Sequence, residues 1–327
     1  MGLLLAIVVV GFIAQIVDGS LGMGFGVMSM SLLLAIGVLP SVASATVHVA
    51  KIGTAIISGA AHWRFGNVDT RVMLLLGIPG ALGAYIGATV LSNLSLELAK
   101  PYVSLVLLTL GVVIIARFIY RRRMAAADNE PRPTPSTRSG QQRPIWLLAP
   151  LGLIGGFVDA SGGGGWGPVT TSTLVASGRL SARTTIGTVN AAELAVAVAA
   201  SVGFLQHLGT AGVRWDITGA ILLGGLIAAV PAAWLVKHVD ERFLGLAVGV
   251  LIIFLSIDSV LSLIGAPDLL LWIVRVTGLV VTGALFVDAL WRARGTSAPA
   301  HGTSTPAHGT STEESGPRPQ QLGHTTG

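Results

Sequence analysis

Two nine-residue stretches hold the residue types best placed to bind something. Residues 18–26 read DGSLGMGFG and residues 159–167 read DASGGGGWG. At an offset of 141 they share an aspartate (Asp18, Asp159), a serine (Ser20, Ser161), three glycines (Gly22, Gly24, Gly26; Gly163, Gly165, Gly167) and an aromatic ring (Phe25, Trp166). Each stretch interrupts an apolar run. Glycine admits φ > 0 and lets the backbone come close to a ligand. Where a helix resumes after such a break, its free N–H groups and positive dipole end suit an oxyanion. The same glycines also serve close helix packing. Their recurrence at matching points of two halves favours a binding site. Asp18 and Asp159 either cap the resuming helix or hold a coupling proton or cation. Ser20 and Ser161 either cap or touch the ligand.

A second repeat signal follows the first. Thr46-Val47-His48 with Lys51 aligns with Thr188-Val189-Asn190 with Glu193 at an offset of 142. His48 and Lys51 are three apart and share a helix face, as do Asn190 and Glu193. Ionisable residues within a membrane span are functional candidates by default. Lys51 either neutralises an anionic substrate or pairs with Glu193 between the halves, leaving Glu193 a candidate for coupling. His48, Asn190, Thr46 and Thr188 are candidates for lining the site. For His48, a plain hydrogen bond to a neighbouring helix is the alternative. Gln15, one turn before the first break, is placed to face the same cavity. Arg275 has no counterpart in the repeat and is not assigned to substrate.

These residues sit in an all-α polytopic membrane chain. Of its 327 residues, 52% are hydrophobic and 11% charged, with mean hydropathy +0.77. A soluble domain carries about 25% charge. Apolar segments fall near 2–17, 27–39, 43–61, 72–91 and 101–119, then 146–158, 168–178, 186–205, 216–236, 243–264 and 269–291. The start, MGLLLAIVVVGF, has no basic flank and reads as a first membrane helix. The organisation is a first membrane repeat over 1–119, a linker over 120–145, a second repeat over 146–264, an extra helix over 265–294 and a tail over 295–327. The Arg-, Pro- and Ser-rich linker and the GTSxPAH-type tail are expected to be disordered. There is no cysteine, and the histidines lack metal-ligand spacing, so no cofactor or metal is expected. The sequence pI of about 10.2 reflects arginines outside the spans rather than nucleic-acid binding.

The segments flanking each glycine break are short for a full crossing. Each pair therefore reads as a re-entrant hairpin whose ends lie on one side. The positive-inside rule favours this reading. With an Arg-rich cytoplasmic linker, returning hairpins also place Arg64, Arg71, Arg179, Arg183, Lys237, Arg242, Arg292 and Arg294 inside. Only Lys100 and Arg214 fall outside. Three crossings then follow each hairpin, so the halves form inverted-topology repeats. The linker and tail are expected in the cytoplasm, and Trp63, Trp215, Trp272 and Trp291 at the membrane edges.

The paired D-x-S-x-G-x-G-aromatic-G breaks, the small-residue helix with its threonine after each, and the basic mid-chain linker resemble the TauE/SafE family. These are sulfite and sulfonate exporters of the toluene sulfonate uptake permease group. The resemblance covers roughly residues 1–291. It implies a bacterial inner-membrane protein of two homologous halves that moves sulfite, organosulfonates or other small carboxylates. The chain departs from the family pattern at SATVH, where A-x-G-T-S or A-x-G-T-N is common, and at Lys51. The expected function is a secondary transporter, an exporter of small sulfur-containing oxyanions working by alternating access. The expected partners are a small anion and the lipid bilayer, with a homodimer as a candidate assembly and no nucleic acid. No P-loop is present, so drive must come from a gradient or a partner. HExxH and GxSxG are also absent, which argues against an enzyme. A membrane scaffold whose glycines only pack helices is the alternative.

Overall fold

Apolar periodicity and the glycine breaks set the elements of this fold. A computed structural model describes residues 2–127, 145–177, 179–235, 241–263 and 265–295. The membrane unit ends at Thr296, and the tail from Ser297 lies outside the described residues, as does most of the linker. The helices are α1 (Gly2–Leu21), α2 (Phe25–Ala35), α3 (Pro40–Arg64), α4 (Thr70–Asn93), α5 (Leu96–Ala127), α6 (Leu148–Gly162), α7 (Ser172–Ser177), α8 (Ala182–Leu208), α9 (Trp215–Leu235), α10 (Glu241–Leu263) and α11 (Asp268–Gly295). A π-helical turn, Gly167–Thr171, leads into α7. No strand occurs among the described residues. Among the described residues, six helices are long and apolar enough to cross a membrane.

Local chemistry explains the ends. The Asp69 carboxylate accepts from Val72 N at 2.9 Å and caps α4. The Ser181 hydroxyl accepts from Thr184 N at 3.1 Å and caps α8. Pro40 opens α3, where its missing N–H costs nothing. The breaks begin later than the sequence suggests. α1 and α6 run on past their aspartates until Gly22 (φ 64°) and Gly163 (φ 82°) turn left-handed. Each of those glycines donates to the aspartate carbonyl one turn back, at 2.7 Å. A second difference concerns the linker. Residues 120–127, YRRRMAAA, continue α5 instead of starting a disordered segment. Arginine, methionine and alanine are strong helix formers, so the helix outlasts its apolar stretch.

Packing interleaves the two halves. α6 lies on α4, and α1 lies on α9, so each broken helix packs against the other half. Glycines set these seams: Gly152 abuts the Leu76 carbonyl and Gly156 the Gly80 carbonyl, so α4 and α6 run parallel. α4 also runs parallel to α8. A Cβ on Gly77 would lie 3.3 Å from Ala192 Cβ, and one on Gly203 would lie 2.9 Å from Ala88 Cβ. α3 and α8 run antiparallel, because Asn190 donates to Ser58 at 3.2 Å while Gly187 sits beside His62. α5 and α10 are antiparallel too, Gly111 meeting Ile253 and Gly249 meeting Ile115.

The breaks themselves touch at the centre. A Cβ on Gly26 would lie 2.7 Å from Gly164 Cα, and one on Gly167 would lie 2.8 Å from Met23 Cα. In the sequence repeat these are one contact made twice. On the outside, α4 exposes Leu74, Ile78 and Leu82 at helical spacing while Gly80, Gly83 and Gly87 face inward. An apolar exterior around a small-residue interior suits lipid. Trp63, Trp215 and Trp272 are also exposed.

The packing of α4 on the second break should fail if widened. A Cβ on Gly80 would meet the Trp166 ring at 2.7 Å. Gly80→Val should cost about 1–3 kcal/mol through overpacking, read as a lower thermal midpoint of the detergent-solubilised protein. An unchanged midpoint would mean that glycine does not set this spacing.

Candidate functional site

Each aspartate reaches across its own break. Asp159 Oδ1 accepts from Trp166 N at 3.0 Å, and Asp18 Oδ1 from Phe25 N at 3.4 Å. Both donors stand seven residues on, where the chain resumes helix. The two carboxylates thus serve the role of a cap, although neither aspartate occupies the N-cap position itself.

Beyond that, the equivalent carboxylates part company. Lys51, on α3, places its ammonium against the Gly26–Gly164 contact: a Cβ on Gly26 would lie 3.5 Å from Nζ. Lys51 Nζ donates to Asp159 Oδ1 at 3.1 Å and Oδ2 at 2.9 Å. It also meets Glu193 Oε1 at 2.7 Å. The two oxygens of one carboxylate subtend too narrow an angle at Nζ for separate N–H groups, so Asp159 shares one donor of the ammonium and Glu193 takes another. His48 Nε2 faces Asp159 Oδ2 at 3.1 Å, and its Nδ1 faces the Ser44 carbonyl at 2.8 Å. The Ser44 hydroxyl donates to the Ala160 carbonyl at 2.7 Å. Both nitrogens of His48 thus face oxygen acceptors, an arrangement fully satisfied by the doubly protonated ring.

Asp159 and His48 are completely buried, and the Lys51 side chain is 3% exposed. The Glu193 side chain, at 16%, is the most open of the four. Removing charges from water is costly unless partners and hydrogen bonds compensate. Asp159 has such compensation from Lys51, His48 and the Trp166 amide. Asp18 lies within electrostatic reach of Glu193, Lys51 and Asp159, and no salt bridge to it occurs among the described residues.

Lys51, His48, Asp159, Glu193 and Asp18 come together with Gly26. Other candidates are engaged elsewhere. The Ser161 hydroxyl accepts from Tyr102 at 2.8 Å and donates to the Phe157 carbonyl at 2.6 Å. Asn190 bonds Ser58. The Thr188 hydroxyl accepts from Asp69 N at 2.9 Å, and the Thr46 hydroxyl from Arg214 N at 3.2 Å. Each of these threonines thus ties its helix to the other half. Gln15 is buried, and its Oε1 has no hydrogen-bond partner among the described residues. Gly24 and Gly165 lie over the equivalent valines Val17 and Val158. The side chains of Ser20, Arg275 and Trp291 lie outside the described residues.

The Asp159 contacts with Lys51 and His48 are not anticipated by the sequence reading, which leaves Lys51 between an anionic substrate and Glu193. The available signal is the spacing of His48 and Lys51, which lets both donors point at one acceptor. Ser44, one further turn back on the same face, belongs to the same set. No group of three or more metal-ligating side chains is found among the described residues.

Sequence comparisons identify relatives of this chain. The family model described as "Sulfite exporter TauE/SafE" matches residues 7–259, which include both breaks and every charged residue of the cluster. "Probable membrane transporter protein YtnM" of Bacillus subtilis (strain 168) is 45% identical over 253 residues, 77% of this chain and 81% of that protein. "Probable membrane transporter protein YdhB" of the same organism is 25% identical over 202 residues, 62% of this chain and 78% of that protein. No solved structure matches. With its paired glycine breaks and its match along residues 7–259, this chain belongs to the sulfite exporter TauE/SafE family of membrane transporters.

Proposed function

We propose that this transporter exports small sulfur-containing oxyanions, sulfite or organosulfonates, by alternating access of two inverted repeats. The observation that carries the reading is the Lys51 ammonium, buried where the two glycine breaks meet. A fixed positive charge beside close-approaching backbone suits a small anion. The site we propose comprises Lys51, His48 and the backbone of Gly22–Gly26 and Gly163–Gly167. Asp18, Asp159 and Glu193 set its charge, and Asn190, Ser20 and Ser161 border it.

The helix directions support returning hairpins. α6 runs parallel to α4, so it starts on the side where α5 ends. α8 also runs parallel to α4, so the chain has come back to that side before α8 begins. A break that crossed completely would leave α8 antiparallel to α4. The antiparallel pairs α3–α8 and α5–α10 join repeat-equivalent helices, as inverted repeats require. The arginine distribution supports placing the linker and tail in the cytoplasm of a plasma-membrane protein. An inside-negative potential favours outward movement of an uncoupled anion by about 2.3 kcal/mol per charge per 100 mV.

Purified protein in liposomes should move sulfite or methanesulfonate down an imposed gradient. The double variant Lys51→Met with Asp159→Asn removes one charge of each sign. It should lower flux at least about tenfold, the equivalent of about 1.4 kcal/mol. Absence of flux by the unaltered protein would sink the carrier reading and leave the scaffold. A reporter fused after Ser181 should read out cytoplasm; a periplasmic signal there would refute the hairpins.

A further inference from the structure

Lys51 is held by two carboxylates. Its ammonium meets both oxygens of Asp159 and Glu193 Oε1. An oxyanion that pairs with Lys51 therefore competes with these carboxylates for its charge. Asp159 is the harder of the two to move, because His48 and the Trp166 amide also hold it. Glu193 is bound to Lys51 at 2.7 Å and has the most exposed side chain of the cluster. It occupies on Lys51 the place that a substrate anion would need.

The charges point the same way. Asp18, Asp159 and Glu193 set three carboxylates against one ammonium and the His48 ring. With all three carboxylates ionised and His48 protonated, the cluster lacks one positive charge. A further anion would be repelled unless a proton arrived with it. The groups around Glu193 are few. α3 brings Lys51 and His48, with His62 three turns further on; α1 brings Asp18 and α6 brings Asp159. From α4, the nearest charges are Asp69 and Arg71 at its start, with Tyr85 bonded to Gln206 beyond. The Gly167–Thr171 turn and α7 carry no charged residue.

We propose that Glu193 is a built-in stand-in for the substrate: its protonation releases Lys51, and the oxyanion takes the vacated donor. This rests on the transporter reading above. Glu193 takes its proton from water on the side to which the site is open, and Lys51 remains an ammonium throughout. Proton and anion enter together and leave together. A monoanion carried in this way moves no net charge, so the membrane potential does not act on it, and its export requires an outward anion gradient that exceeds any inward proton gradient.

The test uses methanesulfonate, which stays a monoanion across the assay range, so any pH dependence belongs to the protein. Binding to purified protein is measured by calorimetry, with flux followed in liposomes holding a pH dye. For the unaltered protein, affinity should weaken by about tenfold per pH unit once Glu193 ionises, the limit for one obligatory proton. The dye should report proton movement accompanying the anion. Glu193→Gln mimics the protonated acid, so its affinity should be flat with pH and its flux should carry no proton. Glu193→Asp should keep the slope. Methanesulfonate flux without proton movement, or an unchanged slope in Glu193→Gln, would overturn this proposal and leave the transporter reading standing. The dye measurement needs only the unaltered protein, so it decides the matter even if the glutamine variant does not fold. Absence of binding and flux for both methanesulfonate and sulfite would overturn the two together.

Discussion

A lysine ammonium buried between two glycine backbones cannot stand alone. The penalty for taking such an ion out of water is several kcal/mol, about what a missing partner would cost. Lys51 from the first half therefore needs Asp159 and Glu193 from the second. That requirement ties α3, α6 and α8 into one assembly. It also explains why the breaks are rich in glycine. A side chain on Gly26 or Gly164 would push the two segments apart and draw Asp159 away from Lys51.

The two halves repeat their backbone contacts but not their charges. The Gly26–Gly164 and Gly167–Met23 contacts are equivalents, as are the Asp18–Phe25 and Asp159–Trp166 hydrogen bonds. Thr46 and Thr188 likewise each tie a helix to the opposite half. Lys51 and Glu193 are equivalents of opposite sign in direct contact. Two lysines or two glutamates there would repel at close range. Divergence at this one pair turns a symmetric meeting point into an ion pair. It also leaves the two aspartates in unlike surroundings: Asp159 is saturated with donors, whereas Asp18 faces the glutamate.

Much of this was legible in the residues alone. The apolar runs predicted the helices closely, because lipid demands long apolar stretches and leaves no room for irregular backbone. Spacing marked both breaks and placed His48 beside Lys51. Two readings at the edges needed adjustment. α1 and α6 extend through their aspartates because the chain leaves helical geometry only where glycine turns left-handed. α5 extends through YRRRMAAA because helix propensity does not depend on hydropathy. The threonines marked by the repeat accept backbone hydrogen bonds, a use of the hydroxyl that spacing cannot distinguish from ligand contact.

The sequence by itself determined a membrane-spanning, duplicated, helical chain with its ionisable residues beside two glycine breaks. Those properties follow from local chemistry: hydropathy, helix period and the conformational freedom of glycine. Only the tertiary structure decided which charge meets which. The offset that equates Lys51 with Glu193 makes no mention of Asp159, which lies 108 positions from Lys51 along the chain. The contact depends on α3 meeting α6 and α8 at the crossing of the two breaks. Long-range packing of that kind, set by glycines against carbonyls of neighbouring helices, does not show in the offset that relates the two halves.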